Sequence, residues 1–174
     1  EEGLLSIPFL DSDNGLISGG EGMILATDDG GITWDYRDAP SDASQSTIVS
    51  IDYFSTVRAY AITDEGHILK SSREGTVPVG FVWNVVEIER EYPPGGGDEF
   101  EQGGKTLDFE VTTIEMLSQF KMMLAGPNGY LALSKDGGNI VSQQLIPVSN
   151  LTNFNAVVMK DGFRGIVIGD SGLV

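Results

Sequence analysis

The chain contains no cysteine and only one histidine, His67, among its 174 residues. The lack of cysteine excludes a disulfide framework and thiol chemistry, and a single histidine excludes metal clusters built on several imidazoles. Long apolar runs are missing as well, because none approaches the roughly 20 residues that a membrane-spanning helix needs. The sequence therefore predicts no metal, no cofactor and no direct membrane span.

Basic residues are scarce, with 10 Lys and Arg against 26 Asp and Glu, and the formal net charge is −16. Nucleic-acid binding is excluded on this ground, since phosphates require a basic surface. Two interpretations of the acidity remain open: it serves solubility, or it meets a partner that carries a basic patch.

An internal repeat runs through the chain. In four places an apolar residue is followed by a glycine fifteen positions later. The pairs are Ile7 with Gly22, Ile51 with Gly66, Ile114 with Gly129, and Val157 with Gly172. A hydroxyl residue follows this turn glycine by five positions in the first three copies, at Thr27, Ser71 and Ser134. Such a fixed spacing indicates one supersecondary unit used repeatedly.

Each repeat predicts short antiparallel strands. Aliphatic and β-branched runs alternate with Gly, Asn and Asp turns, and no stretch sustains a helical period. Units of about 43 residues with four short strands are typical of β-propeller blades. The predicted fold is all-β, a single propeller domain or fragment over residues 1–174. Near-complete four-stranded antiparallel blades are expected at 4–40, 46–90 and 106–149, and a partial blade at 150–174. We expect the chain to be part of a larger ring; completion of the fourth blade by a strand from outside this sequence is the alternative.

The interval between Gly66 and Gly129 is longer than the other intervals between turn glycines. We place the insertion at residues 89–107, where prolines, a glycine run and acidic residues resist regular structure. It is expected to be an exposed loop. Two roles stay open for it: a tolerated surface insertion, and a loop that contacts a partner.

The segment after the third strand of the first repeat matches the Asp-box pattern, Ser/Thr-x-Asp-x-Gly-x-Thr-Trp. The matching residues are Thr27, Asp29, Gly31, Thr33 and Trp34. In such a turn the aspartate accepts backbone N–H groups and glycine supplies positive φ. We expect the tryptophan to anchor the next strand in the core.

Two later repeats carry partial versions of the box. Ser134, Asp136 and Gly138 keep its first half, but Thr and Trp are replaced. The version at Ser71 is weaker, and Trp83 is expected to be its tryptophan, displaced by extra residues.

The Asp box, the repeated glycine turns and the aliphatic strands together resemble the photosystem II stability and assembly factors, seven-bladed propellers of plants, algae and cyanobacteria. Three stretches carry the resemblance: residues 29–34, residues 61–68 followed by Ser71, and residues 154–172. The long insertion after Trp83 is similar to that of plant and algal members.

The resemblance implies a non-enzymatic chaperone that holds a photosystem II reaction-centre protein during assembly. It also implies a location in the thylakoid lumen or associated with the thylakoid, or otherwise extracytoplasmic. A permanent subunit of a larger photosynthetic complex is a further possibility. Cyanobacterial members present an arginine-rich patch to their partner, and our candidates for partner contact here are Arg58, Arg73 and Arg164.

Sialidases and other glycosidases also carry Asp boxes, so a carbohydrate-binding or sialidase-like propeller of a secreted or viral surface protein is the alternative function. Catalysis there needs a nucleophile and paired acids, and no residue set stands out from the acidic background. No catalytic residue is predicted. The run at residues 11–15 resembles a calcium loop, but its glycine comes one position early and no acidic residue closes it. A hairpin turn is therefore expected there.

Overall fold

In a computed structural model of the protein, the described residues are 3–55, 57–73, 81–88, 104–107, 109–143, 152–160 and 164–170. Their strands form three four-stranded antiparallel sheets and one two-stranded sheet. The first sheet contains β1 (Leu4–Ser6), β2 (Gly15–Gly19), β3 (Ile24–Thr27) and β4 (Asp35–Arg37). The second contains β5 (Ile48–Ser55), β6 (Arg58–Thr63), β7 (Ile68–Arg73) and β8 (Phe81–Val85). The third contains β9 (Thr113–Met116), β10 (Met122–Ala125), β11 (Leu131–Ser134) and β12 (Val141–Gln143). The fourth pairs β13 (Phe154–Met159) with β14 (Gly165–Gly169).

Within each sheet the spatial order of the strands is their order along the chain. Sequential antiparallel neighbours of this kind need only short turns, which the glycine, Asn and Asp positions supply. Four-stranded meanders repeated along the chain are the blades of a β-propeller. The predicted all-β propeller fold is confirmed.

The core lies between the sheets, as strand β6 shows. Ala59 and Ala61 pack in a cluster with residues of the first sheet such as Leu16. Tyr60 and Ile62 pack in a second cluster with residues of the third sheet. Successive side chains of a strand point to opposite faces, so β6 is buried on both sides because its sheet is sandwiched between two others.

In the third and fourth sheets the first strand has an edge with no strand paired to it, and side chains of the preceding sheet accept N–H groups of that edge. The Ser50 hydroxyl accepts the Ile114 N–H at 3.2 Å, and the Asp52 carboxylate accepts the Met116 N–H at 2.7 Å. One sheet further on, the Glu115 carboxylate accepts the Met159 N–H at 3.0 Å. Both partners advance together along the chain, so these first strands run parallel to one another. Corresponding turns of successive sheets therefore lie at the same end of the molecule.

The end of the insertion differs from the expectation of an exposed loop over residues 89–107. Leu107 is buried in the core, and its N–H donates to the Gly66 carbonyl at 2.9 Å. Lys105 forms an ion pair with Asp42, which lies in the 3-10 helix Ser41–Ala43. The prediction is thus wrong for Leu107, which buries its side chain against the second and third sheets, whereas Lys105 is exposed. Residues 89–103 lie outside the described part of the chain.

No helix in the described residues is long and apolar enough to cross a membrane.

Candidate functional site

The first Asp box is a closed hydrogen-bonded turn between β3 and β4. The Asp29 carboxylate accepts the Thr33 N–H at 2.9 Å and the Thr33 hydroxyl at 2.6 Å. The Thr27 hydroxyl donates to Asp29 at 2.8 Å and accepts the Gly31 N–H at 2.9 Å. These bonds, the one from the Thr33 hydroxyl foremost, lower the pKa of Asp29 to about 2. Gly31 has a φ of 89°, a conformation that L side chains rarely adopt.

The second Asp box keeps the central hydrogen bonds of the first, although it lacks the Thr and the Trp. The Ser134 hydroxyl donates to Asp136 at 2.9 Å and accepts the Gly138 N–H at 2.9 Å, and Asp136 accepts the Ile140 N–H at 2.9 Å. Since Ile140 has no hydroxyl, Asp136 lacks a counterpart of the bond that the Thr33 hydroxyl donates to Asp29.

The structure corrects the expected role of Trp34. Its side chain is half-buried and lies outside the core clusters, with its indole N–H donating to the Gly31 carbonyl at 3.2 Å. It meets Phe9 edge-to-face, with ring centroids 6.1 Å apart. Trp34 therefore covers the glycine turn beside Phe9. It stays out of the core because no described sheet packs over this face of the first sheet, whereas the first sheet itself packs over the corresponding face of the second.

Trp83 and Trp34 occupy matching places in their sheets. Trp83 pairs with Ser71 across β7 and β8, as Val141 pairs with Ser134 in the third sheet. In the first sheet the last pair is Ala26 with Asp35, so the same register would next place Thr27 opposite Trp34. Trp83 is buried in the core, unlike Trp34.

Ser71 differs from the other two box hydroxyls in its partner. Its hydroxyl accepts the Ala59 N–H at 2.6 Å, deep in the sheet. Residues 74–80, which include the rest of this box, lie outside the described residues.

The run at residues 11–15 forms the expected hairpin turn. The Asp11 carboxylate accepts the N–H groups of Asp13 and Asn14 at 2.9 and 2.8 Å. The described residues contain no group of three or more His, Asp or Glu side chains that could hold a metal ion.

In every sheet the turns after the first and third strands lie at the same end, which we call the Asp-box end. Its turns include residues 10–14, 28–34, 117–121 and 135–140. The three candidate arginines all lie at this end. Arg58 begins β6, Arg73 ends β7, and Arg164 directly precedes β14. Arg58 and Arg73 are on neighbouring strands of one sheet, whereas Arg164 belongs to the fourth sheet.

Three successive sheets place a cation at one and the same repeat position. Arg58, Lys121 and Arg164 each stand eight residues before the turn glycine of their repeat, where the first repeat has Asn14. The turns that carry Lys121 and Arg164 are like that of the first repeat, whereas Arg58 pairs with Ser55 in a shorter hairpin. The carbonyls of Asn14, Lys121 and Arg164 each accept the N–H of the residue four positions earlier, at 2.8–2.9 Å.

Other cations extend this row. Lys135 and Lys160 are exposed in turns at the Asp-box end. Lys70 lies on β7 across from Tyr60. Burial, and then the neighbouring Arg58 charge, lower the pKa of Lys70. Within the described chain, neither Arg58 nor Lys70 forms an ion pair with a carboxylate.

The opposite end of the sheets is acidic. Its turns and connections carry eight described carboxylates: Glu21, Asp38, Asp42, Asp64, Glu65, Glu87, Glu110 and Asp170. Two described cations, Arg37 and Lys105, lie there, and they pair with Asp35 and Asp42. A strongly acidic chain thus presents a basic edge at the Asp-box end of its second, third and fourth sheets. The lysines of this edge were missed at the sequence level, although the repeat position shared by Arg58, Lys121 and Arg164 was visible there.

The meander sheets and the hydrogen-bonded Asp boxes define an Asp-box β-propeller. The chain belongs to the family described as photosynthesis system II assembly factor YCF48, whose profile matches residues 1–96. This match confirms the resemblance drawn from the motifs.

The solved structures similar to this chain include two described as YCF48. One, described as YCF48 bound to D1 peptide, has a TM-score of 0.62 and 17% identity over 86% of this chain and 41% of its own. The other, YCF48 from Cyanidioschyzon merolae, has a TM-score of 0.66 and 19% identity over 99% of this chain and 52% of its own. The chain therefore spans about half the length of these relatives or less, and at such identities they support the fold. No curated protein sequence matches the chain.

Proposed function

We propose that this chain is the binding part of a photosystem II assembly factor and holds a segment of a reaction-centre protein without catalysing a reaction. Membership of the assembly-factor family supports the biological setting. The similar structure described as YCF48 bound to D1 peptide supports a reaction-centre segment as the partner. The family also supports an association with the thylakoid, and we propose its lumenal side.

The binding site that we propose is the basic edge at the Asp-box end. The observation that carries this assignment is the row Arg58, Lys121 and Arg164, one cation at the same repeat position in three successive sheets. Evenly placed cations suit an extended partner that carries carboxylates at intervals, because each charge meets its own counter-charge. Arg73 extends the row within the second sheet.

The test is binding of a D1 peptide to the intact protein and to the double variant Lys121→Glu/Arg164→Glu. Reversal replaces attraction by repulsion at two sites, so we expect the dissociation constant to rise about tenfold or more at low salt. The effect should shrink as salt screens the charges.

The matched control is Arg37→Glu, which reverses a cation at the opposite end of the first sheet. It should leave the affinity nearly unchanged. If Arg37→Glu weakens binding as much as the double variant does, or if the double variant binds normally, the basic edge is not the site.

A further inference from the structure

The first strands of the second and third sheets each carry a carboxylate that reaches the next sheet. Asp52 on β5 and Glu115 on β9 occupy the same repeat position, each one residue after the apolar residue that starts the fifteen-residue spacing. Each accepts a main-chain N–H of the next sheet, from Met116 at 2.7 Å and from Met159 at 3.0 Å. Asp52 thus bridges the second and third sheets and Glu115 bridges the third and fourth, and the amide that Asp52 binds directly follows Glu115 in the chain.

Charged side chains are scarce on the described strands around this joint. Strands β1, β2, β10 and β13, which pack around β5 and β9, contain no ionisable side chain. On β6, Tyr60 pairs with Asp52, and Arg58, two residues before Tyr60, pairs with Ser55. The charge that acts on Asp52 is the like charge of Glu115.

We propose that Asp52, with Glu115 as a neighbouring like charge, is a proton-binding group at the joint between the second and third sheets, which takes up one proton in mildly acidic solution and holds the two sheets together more firmly than at neutral pH. Both hydrogen bonds survive protonation, because a carboxyl group keeps an oxygen that accepts an N–H. What protonation removes is the charge that burial and Glu115 disfavour. Burial, opposed by the Met116 N–H and aided by the Glu115 charge, raises the pKa of Asp52 to about 6.

A carboxyl group whose pKa is higher in the folded state than in the unfolded chain binds more protons when folded. Stability from this group is then greatest at low pH and declines as pH rises from about 4 to about 6. For one group of this kind, the unfolding equilibrium constant should fall about tenfold from pH 7 to pH 5.

The test compares the unfolding equilibrium of the intact protein with that of Asp52→Asn at pH 7 and pH 5. The amide keeps the acceptor for the Met116 N–H but cannot ionise. The variant should be at least as stable as the parent at pH 7. From pH 7 to pH 5 the unfolding equilibrium constant of the parent should fall about tenfold relative to that of the variant. The exposed Asp28→Asn serves as the matched control and should follow the parent at both pH values.

Glu115→Gln provides a second, independent measurement. Removal of the like charge should move the titration of the Asp52 carboxyl, followed by NMR, to lower pH. If Asp52→Asn weakens the protein equally at both pH values, Asp52 is an ordinary acceptor and the proposal fails. It fails equally if the Asp52 carboxyl titrates near pH 4 in the folded parent.

Discussion

Gly137 of the third sheet lies against the Tyr60 hydroxyl of the second: a Cβ added to this glycine would stand 2.9 Å from that oxygen. The turn of the second Asp box is therefore part of the contact between two blades. The Tyr60 hydroxyl also donates to the Gln119 carbonyl at 3.4 Å, in the neighbouring turn of the same sheet. The Asp box here shapes an interface as well as a hairpin.

Gly137→Ala should destabilise the protein. Gly137 has a φ of 82°, and a side chain there also meets the tyrosine oxygen. We expect a loss of about 1–3 kcal/mol in the free energy of unfolding, measured by urea denaturation.

The control for this change is Gly20→Ala, because a Cβ at Gly20 meets nothing within 4 Å. Tyr60→Phe should recover part of the loss when combined with Gly137→Ala, since it removes the crowded oxygen and leaves the backbone strain. If the losses of unfolding free energy from Gly137→Ala and Tyr60→Phe simply add in the double variant, the contact between Gly137 and the Tyr60 hydroxyl is contradicted.

Asp29 should confer stability that disappears in acid. Its pKa is lowered to about 2 by the bonds that Thr33 and Thr27 make to it. The unfolded chain lacks these bonds, so the stabilisation is complete above about pH 4 and is lost as pH falls toward 2.

The measurement is the thermal midpoint of the parent and of Asp29→Asn from pH 7 down to pH 2. The variant should melt lower than the parent at pH 7, and the gap should close at the acid end. Asp28→Asn, next to it and exposed, should show no such gap. A gap of constant size over the whole range would exclude the carboxylate bonds as its cause.

Leu107→Ala should show that the end of the insertion belongs to the core. Leu107 is buried with Ile68, Val86 and Val111 in one cluster. Removal of a buried leucine side chain destabilises by about 2–5 kcal/mol. Leu5→Ala, at a leucine that is 52% exposed, is the matched control and should change the unfolding free energy little. If the two variants lose equal stability, the packing of Leu107 described above is wrong.

Much of the fold was predictable because its determinants are local. The turn glycines Gly22, Gly66 and Gly129 have φ values of 68°, 84° and 71°, and the repeat spacing identified them from sequence. The Asp-box bonds span at most four residues, so the motif alone predicts them. Trp34 shows where a local pattern is insufficient. Whether a residue at a strand end is buried depends on which sheet packs over that strand.

The insertion and the basic edge depend on contacts between distant residues. Leu107 reaches Gly66 across the long interval between repeats, and no pattern near either residue signals that contact. Lys121 was not predicted as a partner contact because only arginines were considered. It occupies the same repeat position as Arg58 and Arg164, where lysine and arginine both supply a positive charge.

The sequence by itself determined the repeated unit, its strands, its turns and the family, since all of these depend on spacing and on the conformational preferences of single residues. The tertiary structure alone decided which residues meet between sheets. It joined Asp52 to Met116 of the next sheet, set Tyr60 against Gly137, and gathered most of the described cations at one end of a chain with a net charge of −16. The physical reason is that these relationships arise from packing one blade on the next, which joins residues more than sixty positions apart for Asp52 and Met116.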